Sequence, residues 1–283
     1  MTSSADRTSA PVRHRAPAQP QLAGSEANAG SSPRPDNPAL RPLVAVAAVA
    51  LPVGWALLSA YQILNMPSEI FVIGTLAIGL ILPVVILTAR ESGRAGVWTL
   101  LRDAVRIPRP VWWVPLSVLA LPSLVWTAAA AVGGAQPLSS TLLVDVAVQL
   151  VTGAVIINIW EEVVWTGFVQ RRAMSRWGSM VGSVVTAVLF AAIHLPLAFD
   201  GARTAGDVAT GVGILLGAGI GLRLLIARID SWSGRSLLTV GLLHASFNTS
   251  ASLIEPAYDW VRIARETAQA YRPLCRSATK VFR

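Results

Sequence analysis

Apolar residues in this chain come in blocks, with little alternation between apolar and polar. From residue 42 onward seven stretches are apolar almost throughout: 42–64, 69–89, 111–133, 141–170, 180–198, 206–227 and 236–254. Each comes near the roughly 20 residues that cross a bilayer as a helix. Lipid offers backbone groups no partner, so each stretch must satisfy its own N–H and C=O groups as a helix. The pattern predicts an all-α fold, a polytopic transmembrane helix bundle of about seven to eight helices. Residues 255–272 hold Glu255, Pro256, Asp259, Arg262 and Arg265. They make a poor eighth span and read better as a surface helix anchored by Trp260.

The blocks also set the organisation. Residues 1–41 are rich in Ser, Ala, Pro and Arg and read as a disordered basic tail. N-terminal transmembrane helices follow over 42–133, then a core over 141–254 that carries unusual polar groups. Residues 255–283 form a basic C-terminal tail. Composition agrees with a bilayer setting. Hydrophobic residues make up 53% and charged residues 13%, against about 25% charged in an average soluble domain.

Charge refines the picture. Of the 23 basic residues, only Lys280 is a lysine, a bias that points to a GC-rich, bacterial source. The arginines lie between apolar blocks and form no aromatic-interleaved basic patch, so no nucleic-acid partner is expected. The lipid bilayer is the expected partner. With the N-terminus in the cytoplasm, the outer loops hold Arg203 alone, while the inner segments hold the arginine groups around 7–41, 90–109, 171–176 and 223–235. This asymmetry follows the positive-inside rule and predicts a multi-pass protein of the cell membrane. The basic C-terminal tail breaks the rule after seven crossings, so the parity stays open. Cys275 has no second cysteine to pair with and is expected to be an inert thiol.

Two features inside the blocks need a reason. The first is a glycine repeat, Gly213, Gly217 and Gly221, within "GVGILLGAGIG". It lacks the strand and the Gly-Lys-Ser/Thr of a phosphate loop, so it is expected to be a small-residue stripe for close helix packing. The second is "IWEEVVWTG", where Glu161 and Glu162 follow the apolar run "LLVDVAVQLVTGAVIIN". A charged side chain at the bilayer centre costs about 2.5–3.5 kcal/mol, and two ionised neighbours also repel. Such residues face a bundle interior or a hydrated cavity.

Histidine adds to this. Two of the three histidines sit in apolar blocks, His194 in "LFAAIHLP" and His244 in "GLLHASFNTS". Asn248 follows His244 by four residues and shares its helix face; Phe190 precedes His194 by the same interval and is placed to wall the same pocket. At about 1.5 Å per helical residue, Glu161, His194, His244 and Asn248 fall within one slab about 10 Å thick. Singly, each residue reads as interhelical glue, and Asp145 and Asn158 are read that way. Together, two Glu, two His and one Asn on three helices form a candidate catalytic set: Glu161, Glu162, His194, His244 and Asn248.

A carboxylate and an imidazole can activate water as general base. A second histidine and an amide can donate to a developing oxyanion. No serine or cysteine nucleophile is required, so hydrolysis of a peptide bond inside the membrane fits. Zinc held by His194, His244 and Glu161 would leave one open position, although the spacing is not H-E-x-x-H. A metal-free glutamate mechanism is equally compatible.

"EEVVWTGF", "FAAIH" and "HASFN" resemble, in order, the motifs EExxxR, FxxxH and HxxxN of the CPBP intramembrane endopeptidases. That family includes Rce1-like CAAX prenyl proteases and bacterial Abi-type proteins. The resemblance spans 141–254. It implies Glu161 as the water-activating base with His194, His244 and Asn248 as oxyanion-stabilising or metal-contacting groups, and Glu162 as a supporting carboxylate. The substrate would be a peptide or a membrane-protein tail. One position departs: the motif arginine falls at Thr166, and the next cations on the helix are Arg171 and Arg172. A proton-coupled transporter and a proteolytically inactive membrane scaffold of the same fold are the alternatives.

Overall fold

The computed structural model describes residues 40–64, 66–199 and 202–255. The tail expected at 1–41 therefore falls almost wholly outside the described residues, as do the helix expected around Trp260 and the thiol of Cys275. No strand occurs among the described residues; one isolated antiparallel bridge joins Ala135 and Ile254.

Among the described residues six helical runs carry the fold: α1 (Leu40–Leu64), α2 (Ser68–Ala104), α3 (Trp113–Ala131), α4 (Ser140–Ile193), α5 (Ala205–Trp232) and α6 (Leu237–Thr249). The first five contain segments long and apolar enough to cross a membrane. The all-α expectation stands; among the described residues six helical runs are counted, against the seven to eight helices expected. Two causes are visible. The blocks 141–170 and 180–198 belong to one 54-residue run. The block 236–254 folds as 13 residues of α-helix plus a four-residue 3-10 turn, too short to count as a span by length.

Glycine explains how one run holds two blocks. Gly178 has φ 80° and ψ 168°, outside the helical region. A Cβ on Gly182 would lie 2.4 Å from the backbone nitrogen of Met174, and the Gln170 amide donates to Ser183 Oγ at 3.3 Å. Residues eight and thirteen apart in sequence touch, so α4 doubles back at Gly178 into a hairpin. Only glycine adopts this backbone without strain. Residues 171–177, expected to be an inner connection, are the last turns of the first limb.

Local chemistry fixes the other ends. Thr204 and Asp207 form a capping box at α5, with Thr204 Oγ1 accepting from the Asp207 N–H and Asp207 Oδ2 accepting from the Thr204 N–H at 2.8 Å, which satisfies donors that the first turn leaves free. Ser139 and Ser236 cap α4 and α6. The second limb of α4 packs on α5, and α3 packs on α6. At one end of the bundle Arg171 joins Asp103, at 3.0 Å, to Asp230, at 2.8 Å, and also donates to the Arg235 carbonyl. This ties α2, α4 and α5 together beside the start of α6.

The glycine stripe of α5 does not pack. A Cβ on Gly213, Gly217 or Gly221 would meet nothing within 4 Å, and all three are exposed. The helix turns Gly211 and Gly219 inward instead, against Ala198 and against Ala187 and Phe190. Buried Leu222, Arg223 and Ile226 continue that inner face.

Candidate active site

The carboxylate pair sits on a single α turn, Ile159–Glu162, between two π-helical stretches, Ala154–Asn158 and Val163–Gln170. A π turn takes in an extra residue and rotates the face that follows; such turns recur at functional sites. Here Asn158 and Glu161 both face a cavity of about 440 Å³. His194, His244, Asn248 and Phe190 line the same cavity. Four of the five residues expected to be catalytic thus share one wall-to-wall space.

Glu162, the fifth, points elsewhere. It is fully buried and has three partners. The Arg223 guanidinium grips it with two bonds, Nη2 to Oε1 at 2.7 Å and Nη1 to Oε2 at 2.8 Å. His244 Nδ1 lies 2.8 Å from Oε1. The Thr166 hydroxyl donates to Oε2. Glu161 is looser: its side chain is 12% exposed, Asn158 Nδ2 donates to its Oε2 at 3.4 Å, and His244 Nδ1 is 3.8 Å away, beyond hydrogen-bond range. The two adjacent acids therefore have different surroundings, one locked in an ion pair and one open to the cavity.

The histidines are oriented through their Nδ1 atoms. His194 Nδ1 is 2.7 Å from the Phe190 carbonyl. A carbonyl only accepts, so Nδ1 carries a proton. His244 Nδ1 donates in the same way to the Glu162 carboxylate. The Phe190 ring lies between the two imidazoles, with centroids 4.6 Å from His194 and 5.6 Å from His244. Asn248 sits one turn past His244, exposed at the cavity edge.

Three readings from spacing change. The zinc set His194, His244 and Glu161 does not converge: no three His, Cys, Asp or Glu side chains among the described residues come together as a metal site. The His244 nitrogen that comes nearest to Glu161 is already occupied by Glu162. Arg171 and Arg172 do not reach back to the glutamates; Arg171 pairs with Asp103 and Asp230, and Arg172 with Glu91 at 2.7 Å. Asn158, read as glue, belongs to the site, whereas Asp145 is exposed on α4.

Arg223 was the residue missed. Counted among inner-end arginines, it is fully buried at the centre of the site. A signal was present: it is a charge flanked by "IGL" and "LLI", with no acid within one helical turn, so its partner had to come from another helix.

Residues 142–250 match the Rce1-like family, described as type II CAAX prenyl endopeptidase Rce1-like. A comparison with curated proteins gives no match. The matched span holds Asn158, Glu161, Glu162, Phe190, His194, Arg223, His244 and Asn248, the whole of the constellation just described. Over that segment the chain is similar to the Rce1-like CAAX prenyl endopeptidases.

Proposed function

We propose that this protein is an intramembrane peptidase that hydrolyses a peptide bond with water activated by Glu161 and His194. The observation that carries the reading is the shared cavity: an accessible carboxylate, two oriented imidazoles and an amide, drawn from α4 and α6, line one space. Glu161 is free to accept a proton from water, because its neighbour Glu162 takes up Arg223. His194, with its proton fixed on Nδ1, offers Nε2 as a second acceptor. His244 and Asn248 are placed to stabilise the oxyanion that forms at the scissile carbonyl. Apolar residues on the cavity wall, among them Leu58, Leu76, Leu80 and Leu222, suit a substrate with aliphatic side chains.

Zinc held by His194, His244 and Glu161 would supply a Lewis acid and a bound water, but these donors do not converge. The family description names CAAX prenyl endopeptidases. The probes are therefore internally quenched CAAX peptides, with and without a prenyl group, and a reporter fused to a transmembrane segment. Glu161→Gln in proteoliposomes is expected to abolish cleavage while the protein stays folded. Cleavage at the unaltered rate would reject Glu161 as the base. Chelator treatment is expected to leave turnover intact; loss of activity restored by added zinc would overturn the metal-free route.

A further inference from the structure

The family motif calls for an arginine four residues after Glu162, and this chain has Thr166 there. On that helix Glu162 would be a buried carboxylate with no cation, an arrangement that proteins avoid. Yet Glu162 is paired. Its cation enters from α5, and the geometry is specific. Arg223 meets both carboxylate oxygens, a two-pronged contact that only a guanidinium provides. Arg223 Nη1 also lies 3.4 Å from Thr166 Oγ1. Thr166 is small enough to leave that space, and its hydroxyl adds a donor to the same oxygen.

The level of α5 is set as well. Gln170 donates to the Arg223 carbonyl at 2.8 Å and to Ser183 Oγ at 3.3 Å, linking α5 to both limbs of the α4 hairpin. The guanidinium carbon lies 4.6 Å from the Phe190 ring centre, and Phe190 in turn touches both histidines. Glu162 Oε1 accepts from Arg223 and from His244 Nδ1 together. A chain of contacts therefore runs from Arg223 through Glu162 to the imidazole at the cavity wall.

We propose that Arg223 is a positioning residue that supplies, from a different helix, the cation that the Glu162 helix lacks at Thr166. Through Glu162 it fixes the proton of His244 on Nδ1 and aims Nε2 into the cavity. Its effect on catalysis rests on the peptidase reading above; its effect on His244 does not.

The test returns the cation to the helix of Glu162. Arg223→Met is expected to lower kcat by about 10- to 100-fold, the range for groups that orient a reacting residue, with KM little changed. Histidine-selective ¹⁵N NMR is expected to show the His244 imidazole shifting from a single Nδ1–H tautomer to a mixture. Adding Thr166→Arg to Arg223→Met is expected to restore both the NMR signature and most of the turnover. If Arg223→Met does not fold, Arg223→Lys serves instead, keeping charge without the fork, with smaller changes in the same directions. An unchanged His244 signal in a folded Arg223 variant would overturn the proposal, whatever the activity. So would a double variant that folds without restoring the signal. An unaltered protein that cleaves none of the probes would count against the peptidase reading alone, since the NMR arm is still decisive for Arg223.

Discussion

Gly241 of α6 lies against Ile159 of α4 so closely that a Cβ at Gly241 would stand 2.8 Å from Ile159 Cα and 2.7 Å from its Cγ1. Ile159 opens the turn that carries Glu161 and Glu162, and Gly241 is three residues before His244. This contact sets how near the imidazole comes to the carboxylates. Backbone cannot swing aside as a side-chain tip can, so Gly241→Ala must push α6 away from α4. The expected cost is about 1–3 kcal/mol, as for overpacking elsewhere, with turnover falling at least tenfold because the bond from His244 to Glu162 lengthens. Thermal unfolding in detergent and peptide cleavage measure the two effects. Wild-type activity in this variant would show that the site tolerates a wider gap than the packing implies.

The two neighbouring glutamates are expected to behave differently when neutralised. Glu161→Gln touches a partly exposed side chain with one weak partner. Activity should vanish while the melting temperature moves by a few degrees at most. Glu162→Gln leaves the fully buried Arg223 without its anion, a change that costs about 3–5 kcal/mol in other buried pairs. Activity and stability should then fall together. Equal melting temperatures for the two variants would contradict the separation drawn between them.

Much of this site was legible in the sequence, for a physical reason. A charged or imidazole side chain in an apolar block is an outlier whatever the fold, so Glu161, Glu162, His194 and His244 stood out singly, and helical spacing brought Asn248 and Phe190 in with them. Spacing reports which residues share a face of one helix. It does not report which helices are neighbours, and Arg223 could be matched to Glu162 only once α5 was seen beside α4. The same limit misled at the glycine stripe. Its period of four was real, but packing chose the other face of α5 and buried Gly211 and Gly219. The hairpin of α4 escaped because "RRAMSRW" reads as an inner connection by charge, whereas the helix runs through it to Gly178.

The glycine stripe gives a prediction in the opposite direction. With nothing within 4 Å of a new methyl group at Gly217, Gly217→Ala removes backbone freedom from the middle of a helix at no steric cost. Stability should hold or rise by up to about 1 kcal/mol, and turnover should not change. A loss of stability would mean that this face of α5 is in close contact with something in the membrane, and cross-linking at position 217 would then identify it.

Arg171 is expected to hold the bundle end closed. Its guanidinium bridges Asp103 and Asp230, and its surroundings are only 10–14% exposed. A pair this sheltered lies between a surface ion pair, at about 0–1 kcal/mol, and a fully buried one at about 3–5 kcal/mol. Arg171→Gln should therefore cost about 2–3 kcal/mol, interpolating between those limits. Arg172→Gln should cost under about 1 kcal/mol, because the Arg172 pair with Glu91 is about a third exposed. Paired melting curves decide the matter; an equal response would remove Arg171 from its structural role.

Phe190 links the two histidines to the buried ion pair, and its ring is what makes the link. The ring contacts His194, His244 and, edge-on at 5.6 Å, Trp165, while Arg223 lies over it. Aromatic pairs of this kind add about 0.5–1.5 kcal/mol beyond burial, and a desolvated guanidinium over a ring about 2 kcal/mol. Leucine keeps the bulk of the side chain and discards the ring, so Phe190→Leu isolates these terms from simple cavity formation. The variant should fold, lose about 1–3 kcal/mol, and turn over about tenfold more slowly because both imidazoles gain freedom. Phe190→Ala adds a cavity and should approach the 3–5 kcal/mol typical of a lost phenyl group. If Phe190→Leu cleaves peptide at the wild-type rate, the ring is only filler, and His194 and His244 must be held by their Nδ1 bonds alone.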